Sequence, residues 1–143
     1  MNYTLRNATI EDCDILFNTY RETVGPYVKQ AWGWDERFQT NGFWTHHPIE
    51  EFKVIEVNNQ FAGGIHFIEE KNELYIKMIF IVPKLHRKGI GSDLITQIYH
   101  LAKSQNKSLC LTVIKSNPAK KLYDRLGFNI IKEDDNTYEM RWL

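Results

Sequence analysis

The sequence predicts an α/β protein, layered in the α+β manner, with a mixed, mostly antiparallel central sheet flanked by helices. Three observations predict it. Short extended runs "KVIEV", "QFAGGIHFIEE" and "ELYIKMIFIV" follow one another between Lys53 and Val82, separated by the turn residues "NNQ" and "KN". "GIGSDLITQIYHLAKSQN" then sets Ile90, Leu94, Ile98 and Leu101 on one helical stripe. Strand and helix patterns alternate from there to the last residue.

Taken in order, "YTLRNAT" reads as a first strand. "IEDCDILFNTYRETV" reads as a helix capped by Thr9, with Asp12 as a capping-box partner. After Gly25-Pro26, the aromatic-rich "YVKQAWGWDERFQTNGFWTHH" reads as a second helix and an irregular segment. Three antiparallel strands follow, the last apolar on both parities near its end, as a centrally placed strand should be. Beyond the long helix, "SLCLTVI" is a buried strand and "NPAKKLYDRLG" a short helix closed by Gly127. "FNIIKED" and "TYEMRWL" form a final hairpin. The expected order is β α α β β β α β α β β, in one domain over residues 1–143.

A chain of 143 residues can bury a real core without disulfide or metal. Lys+Arg 18 balances Asp+Glu 18, which removes any global pull toward nucleic acid or an anionic membrane. An anion-binding site must therefore be local. The longest apolar run, Met78–Val82, is far short of the roughly 20 residues of a membrane span. "MNYTLRNATI" lacks the apolar stretch of a secretory signal, so a cytoplasmic location is expected. Cys13 and Cys110 are isolated and read as reduced thiols. The neighbours His46 and His47 diverge on either a strand or a helix, and no metal site is expected.

The chemistry concentrates at "VPKLHRKGIGSDL". A helix N-terminus offers unpaired N–H groups and about half a positive charge to an anion. Gly89 and Gly91 remove Cβ atoms that would hold a phosphate off those amides, and Arg87 and Lys88 add charge at the rim. The dinucleotide and Walker patterns are both absent. Glycines that merely turn the chain would look the same from this stretch alone.

The pairing of "IFIVPKLHRKGIGSDLI" with "LTVIKSNPAKKLYDRLGF" resembles the GNAT superfamily of acyl-CoA-dependent N-acyltransferases, over Ile76 to Phe128 and, through element order, most of the chain. The resemblance implies acetyl-CoA as cosubstrate. Its pyrophosphate would be held by the amides of His86, Arg87, Lys88, Gly89, Ile90, Gly91 and Ser92, and its pantetheine arm would run along Ile79, Phe80 and Ile81. Ile79 would offer an N–H to the thioester oxygen, Tyr123 would protonate the departing thiolate, and Asn117 would contact the arm. An amine acceptor is the expected second partner, and a homodimer is left open. Two positions depart from the family pattern. His86 stands where Arg or Gln is usual, and Asn117 and Tyr123 are six residues apart, one fewer than in many members.

A primary amine is under about 0.1% neutral at pH 7, so the reaction profits from a proton acceptor. Where some relatives carry Glu in the fifth strand, this chain has Thr112. Glu73 and Glu36 are the carboxylates singled out as candidate bases, with Glu22 and Asp35 beside them. "QAWGWDERFQ" places Trp32 and Trp34 next to Asp35 and Glu36, a set able to hold a cationic amine or simply to pack. A non-catalytic acyl-CoA-binding module is the alternative.

Overall fold

The computed structural model describes residues 2–143; Met1, the start of the "MNYTLRNATI" stretch, lies outside them. The elements are β1 (Thr4–Asn7), α1 (Cys13–Thr23), α2 (Gly25–Trp32), α3 (Glu36–His46), β2 (Phe52–Val57), β3 (Gln60–Glu69) and β4 (Glu73–Ile81). There follow α4 (Ile90–Ser104), β5 (Ser108–Ile114), α5 (Ala119–Leu126), β6 (Asn129–Glu133) and β7 (Thr137–Trp142). Seven strands form one sheet in the order β1-β2-β3-β4-β5-β7-β6, antiparallel except for the β4–β5 pair. This is the mixed, mostly antiparallel sheet the sequence predicts.

One segment differs. The stretch expected to be irregular before β2 is a third helix, α3. Asp35 starts it by accepting the Phe38 backbone N–H at 2.8 Å. Its poor helix formers had hidden it: Thr40, Asn41, Gly42 and Thr45 interrupt the apolar pattern. The expected Thr9 cap is present, with the Asp12 carboxylate accepting the Thr9 backbone N–H at 2.7 Å. Arg6 grips the same carboxylate and holds it down at about 2.

Two cores flank the sheet. Beneath α4 and α5 lie Ile55, Ile65, Leu74, Ile76, Leu109, Leu111 and Met140 with Ile90, Leu94, Ile95 and Ile98. Beneath α1–α3 lie Leu16, Phe17, Tyr20, Val28, Phe43, Phe52, Val54 and Phe80. Each fully buried aliphatic side chain contributes about 1.5–3 kcal/mol. No helix is long and apolar enough to cross a membrane among the described residues.

The second core also holds two buried histidines. His47 contacts the rings of Phe43, Phe52 and His66, and burial pushes it down to about 3, with the neighbouring His66 and Lys77 acting in the same direction. The unfolded value is near 6.5. Between about pH 3 and 6.5 the unfolded chain therefore binds the extra proton, and stability falls as pH drops through that window. By pH 5 the cost from His47 is about 2 kcal/mol. Asp12 does not blur this, because its carboxyl loses stability only below its unfolded value near 3.9. Urea midpoints measured from pH 7 to 4.5 should decline, and less steeply in His47→Gln. Parallel curves would remove the argument.

Candidate functional site

The site begins where the parallel pairing of β4 with β5 stops. Its register runs from Glu73↔Ser108 to Ile76↔Leu111, although β4 continues to Ile81 and β5 to Ile114. Beyond Ile76 the two strands part.

Parity decides which backbone groups face the opening. Val82 N–H donates to Ala62 C=O at 2.8 Å, which marks that pair as hydrogen-bonded. In an antiparallel ladder the alternation then makes Gly64–Phe80 hydrogen-bonded and turns the N–H and C=O of Ile79 and Ile81 away from β3. These groups point into the wedge. Gly63 permits the close approach: a Cβ there would stand 2.1 Å from the Phe80 carbonyl oxygen.

At the upper end of the wedge the chain turns into α4. Gly89 at the helix start has φ +85°, and Arg87 before it is also left-handed at +63°. The first helical bond is Asp93 N–H to Gly89 C=O at 3.0 Å, so the amides of Ile90, Gly91 and Ser92 precede any intrahelical acceptor. A Cβ on Gly91 would meet nothing of the protein within 4 Å, so packing does not explain this glycine.

A cavity of ≈ 870 Å³ joins the parts. Ile79, Phe80 and Ile81 form one wall, His86, Arg87, Gly89, Ile90, Gly91 and Ser92 another, and Asn117 and Tyr123 a third. Tyr27, from the first turn of α2, and two cations that no motif announces, Lys121 and Arg125 of α5, also line it. With Arg87 they leave cations but no carboxylate on the walls. A neutral chain thus carries a locally positive cavity.

Three single side chains have specific positions. Tyr123 is 7% exposed, with its ring 5.7 Å from that of Phe128; burial pushes its hydroxyl up to about 12. The hydroxyl has no hydrogen-bond partner among the described residues, and the side chain lines the cavity. His86 Nε2 donates to Ile81 C=O at 2.6 Å, tying the loop back to β4 and occupying one acceptor of the wedge. Its ring thus braces the loop where the family pattern has Arg or Gln. Asn117 Oδ1 accepts the Ala119 N–H at 2.9 Å and so starts α5 as well as lining the cavity.

Three expected residues lie elsewhere. Lys88 does not line the cavity; it follows the left-handed Arg87 and borders a separate polar hollow with Tyr3, Asp93 and Gln97. Glu73 stands at the far end of β4, six residues before Ile79, or about 20 Å at strand rise. Glu36 is engaged by Arg21 and by Trp34 Nε1, 2.7 Å away; these bonds hold its carboxyl below the usual range, and it too lies outside the cavity. Asp35 caps α3, as described. Of the aromatic set, Trp34 packs on Phe17 and Tyr20, while Trp32 is 57% exposed.

A strand wedge, a turn with free helix-start amides and a buried tyrosine thus share one cavity, and comparison with known proteins says what class of protein carries them. A family model described as an acetyltransferase (GNAT) domain matches residues 29–143. The chain belongs to the GNAT acetyltransferase family. It is 32% identical to the uncharacterized N-acetyltransferase YafP of Escherichia coli over 121 residues, covering 80% of this chain and 68% of that protein. It is 30% identical to an uncharacterized N-acetyltransferase of Methanocaldococcus jannaschii, covering 88% of this chain. The match spans 60% of the archaeal protein's length. In fold, it is similar to the PaiA N-acetyltransferase of Thermoplasma acidophilum crystallised with coenzyme A, at TM-score 0.76, 18% identity and 99% coverage of both chains.

Proposed function

We propose that residues 1–143 act as one GNAT domain that transfers an acetyl group from acetyl-CoA to a primary amine by direct attack in a ternary complex. The observation that carries this is the cavity: Gly89–Ser92 at the helix start, Ile79 and Ile81 of the parted strand edge with the Ile81 carbonyl taken by His86, and Tyr123 line one space. The fold is similar to that of a PaiA N-acetyltransferase crystallised with coenzyme A, which supports the cosubstrate.

The residues fit the cosubstrate's chemistry. Pyrophosphate is taken by the α4 amides with Arg87, Lys121 and Arg125 around it. The amide-bearing arm pairs with the free groups of Ile79 and the Ile81 N–H as a further strand would. The Ile79 N–H then stands ready for the thioester oxygen, a contact worth about 2.7–4 kcal/mol where such donors have been removed elsewhere. Tyr123 faces the sulfur end. Purified protein mixed with acetyl-CoA and an amine panel should release free thiol. CoA binding without turnover on any amine would defeat the transferase reading.

Gly91 offers a second check. Replacing it by alanine costs the fold nothing and gains up to about 1 kcal/mol of helix stability. The added methyl lies where the pyrophosphate is taken, so CoA affinity should fall by about tenfold or more. Calorimetric titration of CoA together with a thermal melt reads both. Unchanged affinity would reduce this glycine to a bend.

The absence of a carboxylate on the described cavity walls favours one other reading, a non-catalytic acyl-CoA-binding module. That module would bind acetyl-CoA, acetylate nothing, and engage a protein partner according to the acyl group.

A further inference from the structure

The described cavity walls carry no carboxylate, and the His86 ring is committed to bracing the loop; three further ionisable side chains stand in line from β3, the strand that pairs with the β4 wall. Glu51, in the turn before β2, has Oε1 2.7 Å from His66 Nε2, and His66 Nδ1 lies 2.9 Å from His47 Nδ1. His66 is completely buried and His47 is 8% exposed. His66 sits on β3 directly opposite Met78, the residue before Ile79. Lys77, the extra residue of the β4 bulge, donates to the His46 carbonyl at 2.9 Å and so fastens the end of α3 over the same strand.

The hydrogen bonds fix the tautomers. Burial, with Lys77 and His46 nearby, keeps His47 neutral; burial and Lys77 outweigh Glu51 and keep His66 neutral as well. The Glu51 carboxylate can only accept, so His66 carries its proton on Nε2 and presents a lone pair at Nδ1. His47 must therefore donate from Nδ1, which leaves Nε2 of His47 as a lone-pair acceptor. That nitrogen has no partner among the described residues. It is also not among their fully enclosed polar atoms without a partner, where only Arg141 Nε stands. Solvent reaches it.

We propose that Glu51, His66 and His47 form the proton-accepting array for the amine, with His47 Nε2 as the accepting atom and the other two as positioning residues. The proposal rests on the acetyltransferase reading. The acceptor's ammonium gives one proton, by way of solvent, to His47 Nε2. The freed lone pair forms the C–N bond at the thioester carbon, and the C–S bond breaks with its electron pair on sulfur. The second nitrogen proton ends on that sulfur, and His47 returns its own to solvent. Burial disfavours an imidazolium at His47, so the charge is passed on rather than held there. When Nε2 is protonated, the Nδ1 proton shifts to His66 and the His66 Nε2 proton to Glu51, whose side chain is 48% exposed.

The array differs in its readout from a brace that only joins α3 to β3. Glu51→Gln keeps a hydrogen-bond acceptor for His66 and removes the charge. It should lower kcat on a strongly basic alkylamine by about 10- to 100-fold, with Tm and the KM for acetyl-CoA unchanged. The deficit should shrink to about threefold or less on a matched acceptor whose amine is already neutral at the assay pH. Wild-type turnover with an unaffected Glu51→Gln variant, or equal deficits on both amines, overturns the array and leaves the transferase reading standing. No wild-type turnover on any amine removes both. Should the variant fail to fold, nitrogen-15 shifts of the wild-type imidazoles decide: a proton on His47 Nδ1 is expected, and one on Nε2 overturns the proposal.

Discussion

Replacing Tyr123 by phenylalanine is expected to lower kcat by about 10²- to 10⁴-fold while CoA affinity stays within about twofold. The ring stays against Phe128, so packing is preserved and only the hydroxyl is lost. With its hydroxyl pushed up to about 12, Tyr123 is fully protonated at neutral pH. A thiol near 8.5 is the stronger acid, and complete proton transfer would be uphill by about 5 kcal/mol. In the proposed reaction Tyr123 would therefore donate a hydrogen bond to charge growing on sulfur, giving up its proton only as another replaces it. Activity should accordingly show no alkaline loss from this group below about pH 10. Titration of kcat together with a CoA binding isotherm checks both parts, and a variant that loses CoA binding would assign the tyrosine to the scaffold instead.

Gly63→Ala should be among the most damaging single-methyl additions. The new Cβ would lie 2.1 Å from the Phe80 carbonyl oxygen and 3.1 Å from Ile81 Cα, both backbone atoms that no rotamer change can move. β4 must shift or the pair must open, at a cost of about 3 kcal/mol. For a chain of this size that is roughly 10 °C of Tm. The displaced segment is the Ile79–Ile81 edge, so CoA affinity should fall with stability, in contrast to Gly91→Ala, where the two move apart. A Gly63→Ala protein with unchanged Tm would show that β3 and β4 are less tightly apposed than described.

Much of this was legible in the residues, because it was written in local patterns. The period-2 runs of β2–β4, the apolar stripe of α4 and the glycine-opened turn each depend on neighbours a few positions apart. Together with the "NPAKKLYDRLGF" resemblance they placed Tyr123, Asn117 and the Gly89–Ser92 amides on one cavity. What was hidden involves distant partners or opposed local signals. Helix α3 was masked by Asn41-Gly42 and its threonines, and is held by Phe43 in the aromatic core. His86 cannot announce a bond to Ile81, nor can the side of the turn on which Lys88 emerges be read from its charge. Glu36 looked available because nothing local foretells that Arg21 and Trp34 converge on it. His47 and His66 are 19 residues apart and meet only because β2 and β3 pair in this register.

The early end of the β4–β5 ladder has a mechanical consequence. The sheet is two half-sheets, β1–β4 and β5–β7–β6, whose shared backbone register is only the four pairs from Glu73↔Ser108 to Ile76↔Leu111. Above that short hinge they diverge as two jaws, joined by side-chain packing under α4. A cosubstrate lying along Ile79–Ile81 and reaching α5 touches both jaws at once, so its binding energy becomes cohesion between them. At a hundredfold excess over its Kd that amounts to about 2.7 kcal/mol. Bound as proposed, the reagent of the reaction would be the strut that makes the two halves unfold as one.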